Sequence, residues 1–444
     1  MKRRLLPILM TLVLVCALPI WAAFVTSGDV TNPLVCTAGA TSPPEPVEVR
    51  TADELQSKIT AGKSVKLMAD INITSTLEIA KSLTLDLNGC TLRMTGTGSV
   101  LKVSGRATLT ITDSSAAKSG TITGGNAEDG DGGGVCVEAY ATLEMTGGCI
   151  TGCRAEDGGG VYIDNNATLK MTGGCITGCY AKWGGGIFLD GTLYMSGTAR
   201  IADCTAGTET TDAIYNRNSG SLLYADGGTV DGMVNNQGTI RRSEGAADVT
   251  VFNGTVYNRA KKIIEDGIYK GTVENTGTIT GGTFYDAVTN RKASLSFMTE
   301  AGTISGGTFY GSIVNEGGPE QVADSAKVAV TFNTDGGTSV AEEKVLRGQK
   351  MSKPAAPTKS GYTFTGWEDA NGAYDFNTPV TAPLTLTAKW EKVPSSGGYY
   401  YYPTTDTKAD DAKDSPKTAD PGVALYGVLS LLSLTGLTCT AKKR

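Results

Sequence analysis

Apolar and polar residues alternate along most of this chain in short runs, and glycine clusters separate the runs. Leu143/Met145 and Leu169/Met171 show the pattern: one apolar face per run, the opposite face polar. Period-two alternation over a few residues predicts short strands, and the glycines predict tight turns between them. No run carries helical spacing long enough for a helix. The exception lies near the start. Thr51 can cap a helix, and Leu55 and Ile59 stand four residues apart, which predicts a short amphipathic helix covering an exposed end.

The runs repeat. TLEMTGGCITGC at 142–153 returns as TLKMTGGCITGC at 168–179, and GTLYMSG continues the series from Gly191. Ala107 opens a longer copy that ends in GGGVCV at 132–137. A second version of the unit occupies the later half, as GGTFYDAVTN from Gly281 and GGTFYGSIVN from Gly306. Its copies end in Asn235, Asn275, Asn290 and Asn315. Asparagine tolerates left-handed backbone, so these residues are expected at a sharp corner, where stacked amides could bond in a ladder. A period in the twenties means stacked supersecondary units, each burying its neighbour's face.

The segment from Thr51 to Met94, with LTLDLNGCTL at 83–92, resembles the opening rungs of right-handed parallel β-helix proteins. These are the pectate-lyase-like superfamily and related adhesin domains. The resemblance implies a mainly β chain whose residues 48–318 form a right-handed parallel β-helix solenoid. At ~25 residues per rung this gives about eleven rungs, on the order of 50 Å long. It implies no single activity, because the fold carries lyases, hydrolases and adhesins alike.

Composition changes from Val328. Asp335-Gly336-Gly337, Gly361-Tyr362-Thr363-Phe364, Gly366-Trp367 and Ala388-Lys389-Trp390 follow in order. This stretch resembles the Listeria–Bacteroides repeat of internalin-type surface proteins, which implies a small β-grasp-like domain over 325–392. Trp367 and Trp390 read first as its core. Residues 393–414 lack apolar periodicity and read as a stalk.

The ends suggest export and anchoring. Lys2-Arg3-Arg4, the apolar run Leu5–Ile20 and the small residues Ala22 and Ala23 read as a signal peptide over 1–23, with a linker at 24–47. At the other end Ser415-Pro416-Lys417-Thr418-Ala419-Asp420 precedes an apolar run and Lys442-Lys443-Arg444. That order is similar to an LPxTG-type cell-wall sorting signal over 415–444, with Ser415 in place of Leu and Ala419 in place of Gly. The resemblance implies a transmembrane segment at 422–441, cleavage by sortase between Thr418 and Ala419, and attachment to peptidoglycan. A plain membrane anchor is the alternative. The expected location is the surface of a Gram-positive cell, touching membrane only through the C-terminal segment.

Composition narrows the chemistry. The chain has no histidine, which removes Ser-His and Cys-His nucleophile pairs, His metal sites and the HExxH helix. A net charge of −6 gives no electrostatic case for nucleic acid. Carboxylate-based glycan chemistry stays open. Glu128-Asp129-Gly130-Asp131, Glu156-Asp157 and Lys182-Trp183 occupy equivalent turns before the glycine triplets. Asp129, Asp131, Glu156 and Asp157 could take calcium, or simply be solvated. Trp183 could stack on a sugar or pack at the rim. Cys149/Cys175 and Cys153/Cys179 recur in register, so disulfides between rungs or free thiols are expected rather than a metal site. No cofactor other than calcium is expected. The expected role is adhesion, without catalysis, to a glycan or a partner protein on host or neighbouring cells. A surface lyase or glycoside hydrolase, and a purely structural wall spacer, are the alternatives.

Overall fold

The computed structural model describes residues 45–207, 212–292, 301–318 and 321–394. The expected signal peptide at 1–23, the expected sortase site at Thr418 and Ala419, and the expected transmembrane segment 422–441 lie outside them. The chain winds into a parallel β-helix solenoid, followed by a small mixed sheet. Two parallel ladders merge into a 21-stranded sheet, and a third ladder of eleven strands closes the coil.

Each ladder stacks apolar columns toward the interior. In the first, Leu83, Leu109, Leu143, Leu169, Leu193, Leu223, Ile240, Ile264, Ile279 and Ile304 are in register. In the second, Ile122, Ile150, Ile176, Ile201 and Val230 give way to Phe252, Tyr269, Phe284 and Phe309. These residues are buried, so alternation in sequence became one continuous core. Burying each Leu or Ile contributes roughly 1.5–3 kcal/mol, offset by the entropy of ordering the rung.

The third ladder changes its filling midway. Ile79, Val103, Val137, Ile163 and Leu189 are followed in the same column by Asn216, Asn236, Asn258, Asn275, Asn290 and Asn315. Each Asn Nδ2 donates to the next Oδ1, at 2.6, 2.8, 2.8, 2.7 and 2.9 Å. The expected ladder therefore exists, with two corrections. Its member is Asn236, while Asn235 faces outward and accepts from Arg259 Nε at 2.9 Å. Its residues end strands, and none has positive φ. The amides face the interior, where an unpaired polar group would be costly, and the ladder satisfies them.

Both open edges are covered. Helix α1 (Ala52–Thr60) sits at the first rung with Leu55 and Ile59 buried, and Thr51 Oγ1 accepts from Glu54 N at 3.3 Å. At the far end, Ile313 N donates to Arg347 O at 2.8 Å. Arg347 Nε returns a bond to Tyr310 O at 2.9 Å. The segment after strand Glu343–Leu346 thus occupies backbone groups that would otherwise template aggregation.

The terminal sheet has five strands, with Lys327–Asn333 parallel to Leu384–Lys392 at its centre. Its own core holds Val330, Phe332, Trp367 and Leu386. Trp367 is buried against Phe332 and Phe364. Trp390 Nε1 donates to Thr334 O at 3.1 Å.

Candidate functional site

Between the second and third ladders a fourth, short ladder emerges, made of Asn126–Asp131, Arg154–Asp157, Tyr180–Trp183 and Thr205–Ala206. The segments expected as turns are strands here. Ala127, Ala155, Ala181 and Ala206 point inward, and these small apolar residues anchor the ladder. The register sets Asp131 beside Asp157 and Asp157 beside Trp183. Adjacent strands lie about 4.8 Å apart.

Glycines make the corner to the third ladder. A Cβ on Gly159 would meet Tyr180 O at 2.3 Å and Gly185 O at 2.6 Å, so backbone packs on backbone there. Gly158 takes φ +66°, which favours glycine. The corner brings the column Asp131–Asp157–Trp183 toward the outward row of the third ladder, Cys136, Tyr162, Phe188 and Tyr215.

The outward row forms an aromatic strip. Tyr162 stacks on Phe188 with centroids 5.2 Å apart, and Phe188 meets Tyr215 at 5.5 Å. Trp183 lies 5.3 Å from Tyr215 and remains 44% exposed, whereas Phe188 is 2% exposed although it points away from the core. The Arg217 guanidinium sits 5.4 Å over the Phe188 ring and 3.7 Å from Asp190. Sequence reasoning missed Tyr162, Phe188, Tyr215 and Arg217. The signal was available: Tyr162 and Phe188 are the middle residues of GGGVYI and GGGIFL, where alternation points them outward.

The carboxylates divide. Asp157 Oδ1 is buried with no partner among the described residues. Desolvation first, then Asp131 and Glu156, push Asp157 up to about 6, against Arg217 and Lys182. Asp131 is raised for the same leading reason, with Glu156 and Asp164 adding to it. Glu156 pairs with Lys182 at 3.2 Å. Asp129 falls in the irregular stretch between Ala127 and Asp131, out of register with Asp157. With Glu128, Glu156, Lys182 and Arg154 it lines a cleft of about 270 Å³, where Arg154 lies 5.2 Å over the Tyr180 ring. Of the four carboxylates weighed for calcium, Asp131 and Asp157 are register neighbours and Glu156 acts on both, while Asp129 stands out of register. Among the described residues no group of three or more His, Cys, Asp or Glu could hold a metal ion.

The cysteines also divide. Cys149 and Cys175 are joined across rungs, with Cα atoms 4.6 Å apart. Cys153 and Cys179, weighed as a second pair, are free and buried. Their thiols lie 3.5 and 3.4 Å from the carbonyls of Thr151 and Thr177. Cys204 continues that interior column.

Residues 329–389 match the Listeria-Bacteroides repeat domain family, which accounts for the terminal sheet. Two proteins of Evansella cellulosilytica, described as a Gly-rich membrane protein and a membrane protein, are similar to this chain. They are 39% and 38% identical over 66 residues, 14% of this chain. The alignments span 8% and 10% of those proteins' lengths. No solved structure matches. Among the described residues no helix is long and apolar enough to cross a membrane.

Proposed function

We propose that this chain is a surface-associated protein whose β-helix serves adhesion, holding a glycan in the lateral groove beside Trp183. One observation carries the reading: an exposed tryptophan continues a strip of aromatic rings and adjoins Asp157, with Asp131 one strand beyond. Sugar rings present apolar faces to aromatics and hydroxyls to carboxylates, so such a groove suits them. The surface assignment is supported by the Listeria-Bacteroides repeat and by two similar proteins described as membrane proteins. Anchoring through Thr418 to peptidoglycan belongs to the same reading. Release of the chain from the wall fraction by detergent alone would remove it.

A glycan array probed with the full-length chain tests adhesion. Binding that Trp183→Ala weakens places the ligand in this groove. Binding indifferent to that change would move it elsewhere. A second reading has its own observation. Asp131 and Asp157 are neighbours, and Asp157 is raised to about 6, the poise of a carboxyl that can donate a proton. Turnover of a bound glycan, lost in Asp157→Asn with the fold intact, would make the protein a hydrolase or lyase.

A further inference from the structure

We propose that the groove selects glycans bearing protonated amines, the glucosamine class, over neutral and N-acetylated ones. The inference rests on the adhesion reading above and names its ligand. It begins with uneven charge. The lysines and Arg217 near the groove are already paired, Lys182 with Glu156 at 3.2 Å, Lys102 with Glu138 at 2.7 Å and Arg217 with Asp190 at 3.7 Å, while Arg154 lies 5.2 Å over the Tyr180 ring. Asp131, Asp157 and Asp164 form no ion pair among the described residues, and Arg217 and Lys182 offset Asp157 only from a distance.

An ammonium group has three N–H donors and no acceptor, while an ionised carboxylate only accepts. Aromatic faces attract the same charge. A metal ion would need several oxygens converging on one point, and they do not converge. A free small amine would leave the aromatic strip unused. A sugar ring on Trp183 uses both. Asp157 neighbours Trp183 in the ladder, one strand spacing away, so a ring substituent could reach its carboxylate while the ring stacks. Asp157 Oδ1 is buried and unpartnered, so the carboxylate's charge is uncompensated from within, and a ligand meets the part of the side chain that remains exposed. The groups facing Asp157 are Asp131, Glu156, Arg217 and Lys182, and the ammonium relieves the like-charge crowding among the first two.

The test is calorimetric titration of the full-length chain, kept in detergent, with three probes of equal length. These are oligomers of glucosamine, of N-acetylglucosamine and of N-trimethylated glucosamine, whose charge does not titrate. The expected result is at least tenfold tighter binding of the free-amine oligomer than of the acetylated one. Asp157→Asn and Asp164→Asn, with circular dichroism unchanged, should each shrink that preference. Binding of the trimethylated oligomer should weaken as pH falls below about 6, where Asp157 takes up its proton. Equal affinity for amine and acetyl oligomers, both weakened by Trp183→Ala, would overturn amine selection and leave adhesion standing. A preference untouched by both Asp variants would overturn it too. No binding of these probes or of any neutral glycan would overturn both readings.

Discussion

The two halves of the solenoid share one backbone plan and fill it differently. Up to Leu189 the third ladder's interior column is aliphatic, and from Asn216 it is asparagine. In the second ladder Ile and Val give way to stacked rings, Phe252, Tyr269, Phe284 and Phe309, at 5.0, 4.8 and 4.8 Å. An aliphatic column asks only for volume, and its neighbours can shift slightly without leaving a group unsatisfied. An asparagine column is stricter, because each amide is satisfied only when both neighbours hold register. Ladder partners in the later half stand 20, 22, 17, 15 and 25 residues apart, so coil length varies while the column is kept. The bonded amides fix register where sequence spacing does not.

The difference extends to the candidate site. The earlier half grows the fourth ladder, and with it the column of Asp131, Asp157 and Trp183. Among the described residues the later half has no such ladder. Its corners are tight, with Asn236 and Asn275 each accepting from the glycine amide two residues on, at 3.2 Å. Elaboration sits where the core is permissive.

The contrast predicts unequal responses to core changes. Phe284→Ala, which empties the middle of the ring stack, should cost about 3–5 kcal/mol. Ile176→Val, at the same column in the earlier half, should cost about 1 kcal/mol. Urea unfolding of the full-length chain followed by circular dichroism compares them. Similar losses for both would mean that the two fillings are energetically alike.

The next test exchanges the fillings. Asn258→Leu leaves Asn236 Nδ2 without its side-chain acceptor and Asn275 Oδ1 without its side-chain donor. The expected loss is about 2–4 kcal/mol, from two buried amides deprived of ladder partners. A neutral outcome would show the later column to be ordinary volume filling.

How much of this was legible in the sequence follows from the same contrast. The earlier repeats announce themselves, because TLEM, TLKM and GGG recur with aliphatic residues on one face. The asparagine column was legible as a ladder but not to the residue. Asn235-Asn236 offers two neighbours, and a slip of one sends a side chain to the opposite face. The fourth ladder was not legible, since AEDGD, AED and AKW bury only an alanine each and read as polar turns. The aromatic strip was hidden for the opposite reason. In a run such as GGGIFL every large residue looks like core, and only stacking across rungs shows that Phe188 is buried from outside. The pairing of Cys149 with Cys175 but not Cys153 with Cys179 depends on which way each thiol turns, which spacing does not encode.

Trp183→Ala separates the groove from the core beneath it. It should weaken glycan binding by about 1–3 kcal/mol, as hot-spot truncations do. Stability should change by under about 1 kcal/mol, because Trp183 is largely exposed and packs on Tyr215 alone among the rings. A loss of stability as large as that of Phe284→Ala would make Trp183 a structural residue and remove it from the site.

The smallest effect concerns the carboxylate beside it. Asp157 is held above its usual range, at about 6, by desolvation and by Asp131 and Glu156. A carboxyl raised on folding binds its proton more tightly in the folded chain than in the unfolded one. Stability therefore falls as pH rises from the unfolded value near 3.9 to about 6, and the penalty is fully present above that. Asp157 is partly exposed, so solvent screening reduces the penalty to about 1 kcal/mol. Asp157→Asn should accordingly stabilise the chain by about 1 kcal/mol at pH 7 and by nothing measurable at pH 3.5. Asn290, buried in the ladder of the later half, carries no charge, so its replacement should destabilise equally at both pH values. Thermal unfolding of both variants at the two pH values checks this. A pH-independent effect of Asp157→Asn would mean that the groove carboxylates are not strained by one another. The electrostatic difference between the halves would then be withdrawn, leaving only the difference in packing.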